Sequence, residues 1–66
     1  MNKDILKGKW KQFKGSAKER WGELTDNELT QAEGDYEQLV GVIQERYGYE
    51  RDEAEREVDT WMRSQN

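Results

Sequence analysis

The spacing of the apolar residues constrains the fold of this 66-residue chain more than any other feature of its sequence. They return at steps of three or four in three groups: Leu6, Trp10, Phe13, Ala17 and Trp21; Tyr36, Leu39, Val40, Ile43 and Tyr47; and Ala54, Val58, Trp61 and Met62. That period places each group on one face of an α-helix. No stretch alternates long enough with period two to form a strand, and the chain has no proline. The sequence therefore predicts an all-α fold.

A capping box marks the start of one helix. The Thr25 hydroxyl can accept a hydrogen bond from the backbone N–H of Glu28, and the Glu28 carboxylate can accept one from the backbone N–H of Thr25. We expect a short helix over about 26–33 after this box, with Gly34 ending it.

Glycine and glutamate mark the next boundary. Gly48 suits the left-handed residue that closes a helix, here over about 35–47. The last helix is expected over about 51–63. Glu50 precedes it and is a poor N-cap compared with serine or aspartate, so the first turn of this helix is expected to fray.

Short helices joined by short loops cannot bury their apolar faces alone. We expect a single domain over residues 1–66, a compact bundle of about four short helices with an aromatic core. The rings expected to turn inward are Trp10, Phe13, Trp21, Tyr36, Tyr47 and Trp61. Leu, Ile, Val and Phe make up only 10 of the 66 residues, a content that is also typical of disordered chains. The modest net charge of −4 and the three Trp and three Tyr favour folding.

The composition argues against an enzyme. There is no cysteine and no histidine, so thiol nucleophiles, disulfides and the commonest general base and metal ligand are missing. Neither Ser16 nor Ser64 lies in a sequence motif that would supply a general base to activate it as a nucleophile. The glycines do not match phosphate-binding loops, and the acidic run over 52–59 does not match a calcium loop, so it is interpreted as a solvated face. We expect no catalysis, no cofactor, no metal and no small-molecule substrate.

No segment approaches the roughly 20 apolar residues that span a bilayer, and the N-terminus lacks the apolar core of a secretory signal. We expect a monomeric cytoplasmic protein without a transmembrane segment.

Charge is distributed unevenly along the chain. Residues 1–22 hold seven Lys and Arg against two Asp and Glu, whereas residues 23–66 hold four Arg against thirteen Asp and Glu. Helical geometry places four lysines on one strip beside the apolar face: Lys7, Lys11, Lys14 and Lys18. In one interpretation their stems cover the flanks of that face, while the ammonium groups lie in water or near the acidic helices. In others the strip binds the phosphates of a nucleic acid or an anionic membrane surface. The net charge of −4 argues against nucleic acid.

Gly8, Gly15 and Gly22 recur every seven residues, opposite the apolar face. Each glycine inside a helix costs roughly 1 kcal/mol relative to alanine. One hypothesis is a weak, broken first helix with Gly8 and Gly22 near its ends. The other is a smooth strip for the close approach of a partner backbone.

Several segments together resemble the CsbD-like family of small bacterial proteins. The matching residues are Gly8-Lys9-Trp10-Lys11-Gln12, Lys14-Gly15, Lys18-Glu19, Trp21-Gly22-Glu23-Leu24-Thr25-Asp26, Gly34, Gln38-Leu39-Val40-Gly41, Ile43-Gln44-Glu45-Arg46-Tyr47-Gly48-Tyr49, Ala54-Glu55 and Trp61. The resemblance covers nearly the whole chain and departs at Glu50, where many relatives have a better capping residue. It implies two short helical hairpins packed at a steep angle and a role in the general stress response. It brings no catalytic residues, cofactor or substrate.

Three functions remain open on these grounds. The first is a non-enzymatic stress-response protein that acts through surface contacts with an unknown partner. The second is a nucleic-acid-binding module that uses the lysine strip. The third is an adaptor for another protein, which predicts an apolar patch left exposed once the core is assembled.

Overall fold

Five α-helices make up most of residues 3–65, the part of the chain that the computed structural model describes. They are α1 (Lys3–Gly8), α2 (Trp10–Arg20), α3 (Asp26–Ala32), α4 (Tyr36–Tyr47) and α5 (Arg51–Ser64). Residues 3–65 contain no strand, and the predicted all-α bundle is confirmed. None of these helices is long and apolar enough to cross a membrane.

The first predicted helix is divided into α1 and α2 by a break at Lys9. Gly8 ends α1, and Lys9 has φ −115° and ψ 20°, outside the helical range. Helical hydrogen bonds still run through the break, because the Lys9 N–H donates to the Ile5 carbonyl at 3.0 Å and the Lys9 carbonyl accepts from the Phe13 N–H at 3.0 Å. The break is therefore a kink. A glycine at this point lowers the cost of leaving regular geometry, as the broken-helix hypothesis requires.

The helix ends agree with the local signals in the sequence. Both hydrogen bonds of the capping box form: the Glu28 N–H donates to the Thr25 hydroxyl at 3.1 Å, and the Thr25 N–H donates to the Glu28 carboxylate at 3.0 Å. Gly48 closes α4 with φ +71°. Glu50 makes no side-chain capping bond at the start of α5.

The interior is entirely apolar. Within residues 4–65 no polar or charged residue is buried, and sixteen apolar residues form one core. The core contains Leu6, Trp10, Phe13, Ala17, Trp21, Leu24, Leu29, Ala32, Tyr36, Leu39, Val40, Ile43, Ala54, Val58, Trp61 and Met62. Five of the six rings expected to turn inward are buried. The expectation for the sixth is wrong, because Tyr47 is only half-buried and packs against the edge of the core.

Aromatic side chains join α2 to two other helices. The Trp61 ring of α5 makes edge contacts with Phe13, at 5.9 Å between ring centroids, and with Trp21, at 5.2 Å. Its Nε1–H donates to the Ser16 hydroxyl at 3.0 Å. Trp10 joins α2 to α3, because its Nε1–H donates to the backbone carbonyl of Leu29 at 2.8 Å.

The turn between α3 and α4 lies against the start of the chain. Gly34 has φ +76°, and a Cβ atom there would lie 2.6 Å from the Lys7 Cα and 2.9 Å from the Leu6 carbonyl oxygen. The left-handed residue that closes α3 is Glu33, with φ +54°, and not Gly34 as expected. Gly34 is required in the turn that follows, because only glycine permits this approach. By contrast, a Cβ at Gly8, Gly15 or Gly22 would meet nothing within 4 Å.

Candidate interaction surface on the first two helices

The structure divides the predicted lysine strip into two pairs with different surroundings. The Lys14 ammonium donates to the Thr30 hydroxyl of α3 at 2.8 Å, and the Lys18 ammonium donates to the Leu24 carbonyl at 2.5 Å. Both lysines are half-buried. They bind neutral oxygens on α3 and on the loop before it, so they hold α2 against the start of the acidic region without pairing with its carboxylates.

The other pair faces solvent. The side chains of Lys7 and Lys11 are exposed, and their ammonium groups make no hydrogen bond or ion pair with the described groups of residues 3–65. The Lys9 side chain, at the kink between them, is equally exposed, and its ammonium group has no such partner in that part of the chain. We call Lys7, Lys9 and Lys11 the basic patch. Lys7 and Lys11 are the two lysines of the predicted strip that could contact another molecule. Lys9, which is not part of that strip, lies between them at the kink.

Arginine, not lysine, provides the cation of the ion pairs. Among the side chains described, the pairs are Arg20 with Glu57 at 3.1 Å, Arg46 with Glu28 at 2.8 Å, Arg51 with Glu55 at 2.9 Å, and Arg51 with Glu37. The planar guanidinium fork matches a carboxylate in a way that a single ammonium does not. In residues 3–65 no described lysine side chain is neutralised by a carboxylate.

These contacts shift the pKa of the groups involved. The backbone N–H of Thr25 and the Arg46 guanidinium lower the pKa of Glu28. Conversely, the Glu28 carboxylate raises the pKa of Arg46, and Glu37 followed by Glu55 raises that of Arg51.

A tyrosine links α4 to α5. The Tyr36 hydroxyl donates to the Asp59 carboxylate at 3.0 Å. Burial, with the negative charge of Asp59 beside it, raises the pKa of Tyr36 to about 12. Asp59 belongs to the acidic run predicted to be a solvated face, and Glu55 and Glu57 of the same run pair with arginines. Residues 3–65 contain no group of three or more acidic side chains placed to hold a metal ion.

Two open depressions lie on the α4 side of the molecule. One, of about 250 Å³, lies between α1 and the start of α4 and is lined by Asp4, Lys7, Gly34, Asp35, Tyr36 and Glu37. The other, of about 460 Å³, runs along the outer face of α4 and is lined by Asp35, Glu37, Gln38, Gly41, Val42 and Glu45. We call the second the α4 groove. It carries three carboxylates and no cation, so its electrostatic character is opposite to that of the basic patch.

Sequence reasoning missed a stacked tyrosine pair at the end of α4. The rings of Tyr47 and Tyr49 lie 5.4 Å apart and are tilted by only 18°. The Tyr47 hydroxyl accepts a hydrogen bond from the Glu23 N–H at 3.1 Å. These contacts draw the Tyr47 ring out of the core. The helical period assigned Tyr47 to the core because it could not include Tyr49, which lies beyond the end of the helix.

The adaptor hypothesis finds little support in the surface. It predicts an exposed apolar patch, but Ile5 is the only large apolar residue exposed among residues 3–65.

Comparison with known proteins agrees with this architecture. A family model described as CsbD-like matches residues 4–56. The chain is 64% identical to the UPF0337 protein YjbJ of Escherichia coli O6:H1 strain CFT073 over 61 aligned residues. The aligned residues cover 92% of this chain and 88% of the relative. It is 59% identical over 66 residues to YjbJ of Salmonella typhimurium strain LT2, covering 100% of this chain and 94% of the relative. A UPF0337 protein of Pectobacterium atrosepticum is 66% identical over 61 residues, with 92% and 88% covered.

Proposed function

The chain belongs to the CsbD-like family, and from this membership we propose that it is a non-enzymatic protein of the bacterial general stress response. It works in the cytoplasm, at high abundance, through contacts that its charged surface makes with other molecules. The molecular partner is the open part of this proposal.

The single observation that supports action through the surface is the separation of apolar and polar residues. All sixteen buried side chains are apolar, and no charged group in residues 4–65 lies in an enclosed, water-poor site. Enzymes commonly activate acids, bases and nucleophiles by burying them and so shifting their pKa values. Here the charged groups lie outside, where they can contact a partner.

The stress role is tested in the bacterium that encodes the chain. We expect its transcript and protein levels to rise under osmotic shock and on entry into stationary phase, and a deletion strain to lose in competition with the wild type under the same conditions. Levels that stay flat, with no competitive defect, would contradict the stress role.

The surface part of the proposal has its own test. The deletion strain is complemented with the wild type, with Lys9→Glu/Lys11→Glu, and with Arg56→Glu/Arg63→Glu as a control of equal net charge. We expect the lysine variant to fail and the arginine variant to restore fitness at equal protein abundance. Equal rescue by all three would show that the basic patch is not used.

A nucleic-acid-binding module is the second candidate, and the basic patch is the observation that favours it. Three unpaired ammonium groups around one kink can contact successive phosphates. The rings that could stack on bases, however, are in the core: Trp10, Phe13, Trp21 and Trp61 are at most 8% exposed. Titration with duplex DNA at low salt tests this function. It predicts affinity that falls with salt and is lost in Lys9→Glu/Lys11→Glu.

A further inference from the structure

The two oppositely charged regions of the chain scarcely neutralise each other inside the molecule. Of the seven Lys and Arg in residues 1–22, Arg20 alone forms an ion pair among the side chains described, with Glu57. Lys14 and Lys18 bind neutral oxygens, and the basic patch binds nothing within residues 3–65. The unpaired positive charge and the unpaired negative charge therefore both face solvent, and Lys7 of the patch lines the depression that also contains Asp35 and Glu37 of the groove.

The α4 groove has the features that complement the basic patch. Gly41 leaves its floor open, since a Cβ there would meet nothing within 4 Å, and Val42 gives it a half-buried apolar wall. Asp35 is engaged in capping α4 and Glu37 in binding Arg51, whereas the exposed Glu45 has no ion-pair partner in residues 3–65. An aliphatic lysine stem fits such a wall while its ammonium group meets the carboxylate.

We propose that the basic patch of one copy of this chain docks into the α4 groove of a second copy. The two surfaces are different, so each contact pairs the patch of one copy with the groove of another, either reciprocally in a closed dimer or head-to-tail in a longer assembly. A small contact with few ion pairs gives weak association that becomes populated only at high protein concentration. The proposal rests on the surface-contact part of the proposed function, for which it names the partner, and not on the stress role.

The observations favour a second copy over a nucleic acid. Affinity for DNA comes largely from the number of phosphates that Lys and Arg neutralise, and the patch supplies only three lysines. The large rings near the patch are buried, and residues 23–66 carry an excess of nine negative charges that repels a polyanion. In a second copy, that same excess is the attracting charge.

Sedimentation velocity from micromolar to millimolar protein tests this docking. At about 0.15 M salt, where charges interact over about 8 Å, we expect the average sedimentation coefficient of the wild type to rise with concentration. At about 1 M salt, where the range is about 3 Å, we expect it to stay at the monomer value. A wild type that remains monomeric at millimolar concentration at about 0.15 M salt would overturn the proposal.

Matched variants identify the surfaces. Lys9→Glu/Lys11→Glu reverses the patch and Gln38→Lys/Glu45→Lys reverses the groove, and these four side chains are exposed, so both variants should fold as judged by circular dichroism. Each alone is expected to stay monomeric, whereas their equimolar mixture, in which the reversed charges match, is expected to associate. Arg56→Glu/Arg63→Glu, with the same net charge as the lysine variant, is expected to associate like the wild type.

The remaining outcomes contradict the docking. If the arginine control lost association equally, the loss would be an effect of net charge alone. If the mixture stayed monomeric, the patch and the groove would not be each other's binding surfaces. Monomeric wild type that binds duplex DNA through Lys9 and Lys11 would assign the patch to a polyanion. Monomeric wild type whose Lys9 and Lys11 are still needed for survival under stress would overturn the docking while leaving the proposed function intact.

Discussion

The two halves of the molecule hold their helices together with different chemistry. In α1–α3, an indole N–H and two ammonium groups donate to neutral oxygens, and a turn glycine lies against the backbone of α1. In α4–α5, one arginine, Arg51, pairs with two carboxylates, and a tyrosine donates to an aspartate. The difference shows that the net charge of a segment does not reveal which of its charged side chains hold the helices together. Among the side chains described, arginine forms the ion pairs, whereas lysine either donates to neutral oxygens or remains exposed.

The largest expected effect comes from breaking the contact at the α3–α4 turn. In Gly34→Ala the new Cβ meets backbone atoms of Lys7 and Leu6 at under 3.0 Å, in a left-handed conformation. The conformational cost and the overlap together should lower the free energy of unfolding by about 3 kcal/mol, close to the whole stability of a domain this small. Urea denaturation followed by circular dichroism measures it.

Gly15→Ala is the control for this substitution. It lies within α2, where a Cβ meets open space, so the change should stabilise the protein by about 1 kcal/mol. A Gly34→Ala protein as stable as the wild type would contradict the close approach.

The next comparison is between the indole N–H groups of two tryptophans, Trp10 and Trp21. The Trp10 Nε1–H donates to the buried Leu29 carbonyl, whereas the Trp21 Nε1–H is buried without a partner. Trp10→Phe should therefore destabilise the protein by about 1–3 kcal/mol more than Trp21→Phe, since it leaves a buried carbonyl unsatisfied. Thermal unfolding of the two variants measures the difference. Equal losses would mean that ring volume alone matters.

At high pH the link between α4 and α5 should weaken. Burial and Asp59 raise the pKa of Tyr36 from 10.0 to about 12, so the folded state keeps a proton that the unfolded state loses. The stabilisation is complete below pH 10 and is lost as the pH rises towards about 12. The difference in unfolding free energy between the wild type and Tyr36→Phe should shrink over this interval. A constant difference would contradict the hydrogen bond.

At low pH the smallest effect is expected, at the start of α3. The Thr25 backbone N–H and Arg46 lower the pKa of Glu28 below 4.5. Its contribution is therefore complete above pH 4.5 and is lost as the pH falls through the lowered pKa. Glu28→Gln should show a shallower loss of stability on acidification than the wild type. If the acid-unfolding profiles of Glu28→Gln and the wild type were parallel, the Glu28 carboxylate would not contribute to the pH dependence of stability.

The sequence predicts the helices well because their signals are local. The apolar period and the Thr25 capping box place α3 to within one residue at each end, and Gly48 places the end of α4. The broken-helix hypothesis includes a break near Gly8, but the position of Tyr47 could not be predicted, because it depends on contacts distant in the chain. For Tyr47 these are the Glu23 backbone and the ring of Tyr49.

The same reason explains the partial success at the lysine strip. Helical spacing correctly aligns Lys14 and Lys18 on one flank of α2. It could not show that their acceptors are Thr30 and Leu24, because the position of α3 beside α2 is a tertiary feature. The division of the strip into structural and free lysines therefore needed the folded structure.

That division is tested most directly by removing the four ammonium groups one at a time while keeping most of each stem. Urea denaturation is measured for Lys7→Met, Lys11→Met, Lys14→Met and Lys18→Met. Lys14→Met and Lys18→Met should each lower the free energy of unfolding by about 1 kcal/mol, because each removes a hydrogen bond to the α3 side. Lys7→Met and Lys11→Met should change it by less than about 0.5 kcal/mol. Four equal changes would contradict the division on which the interaction surface rests.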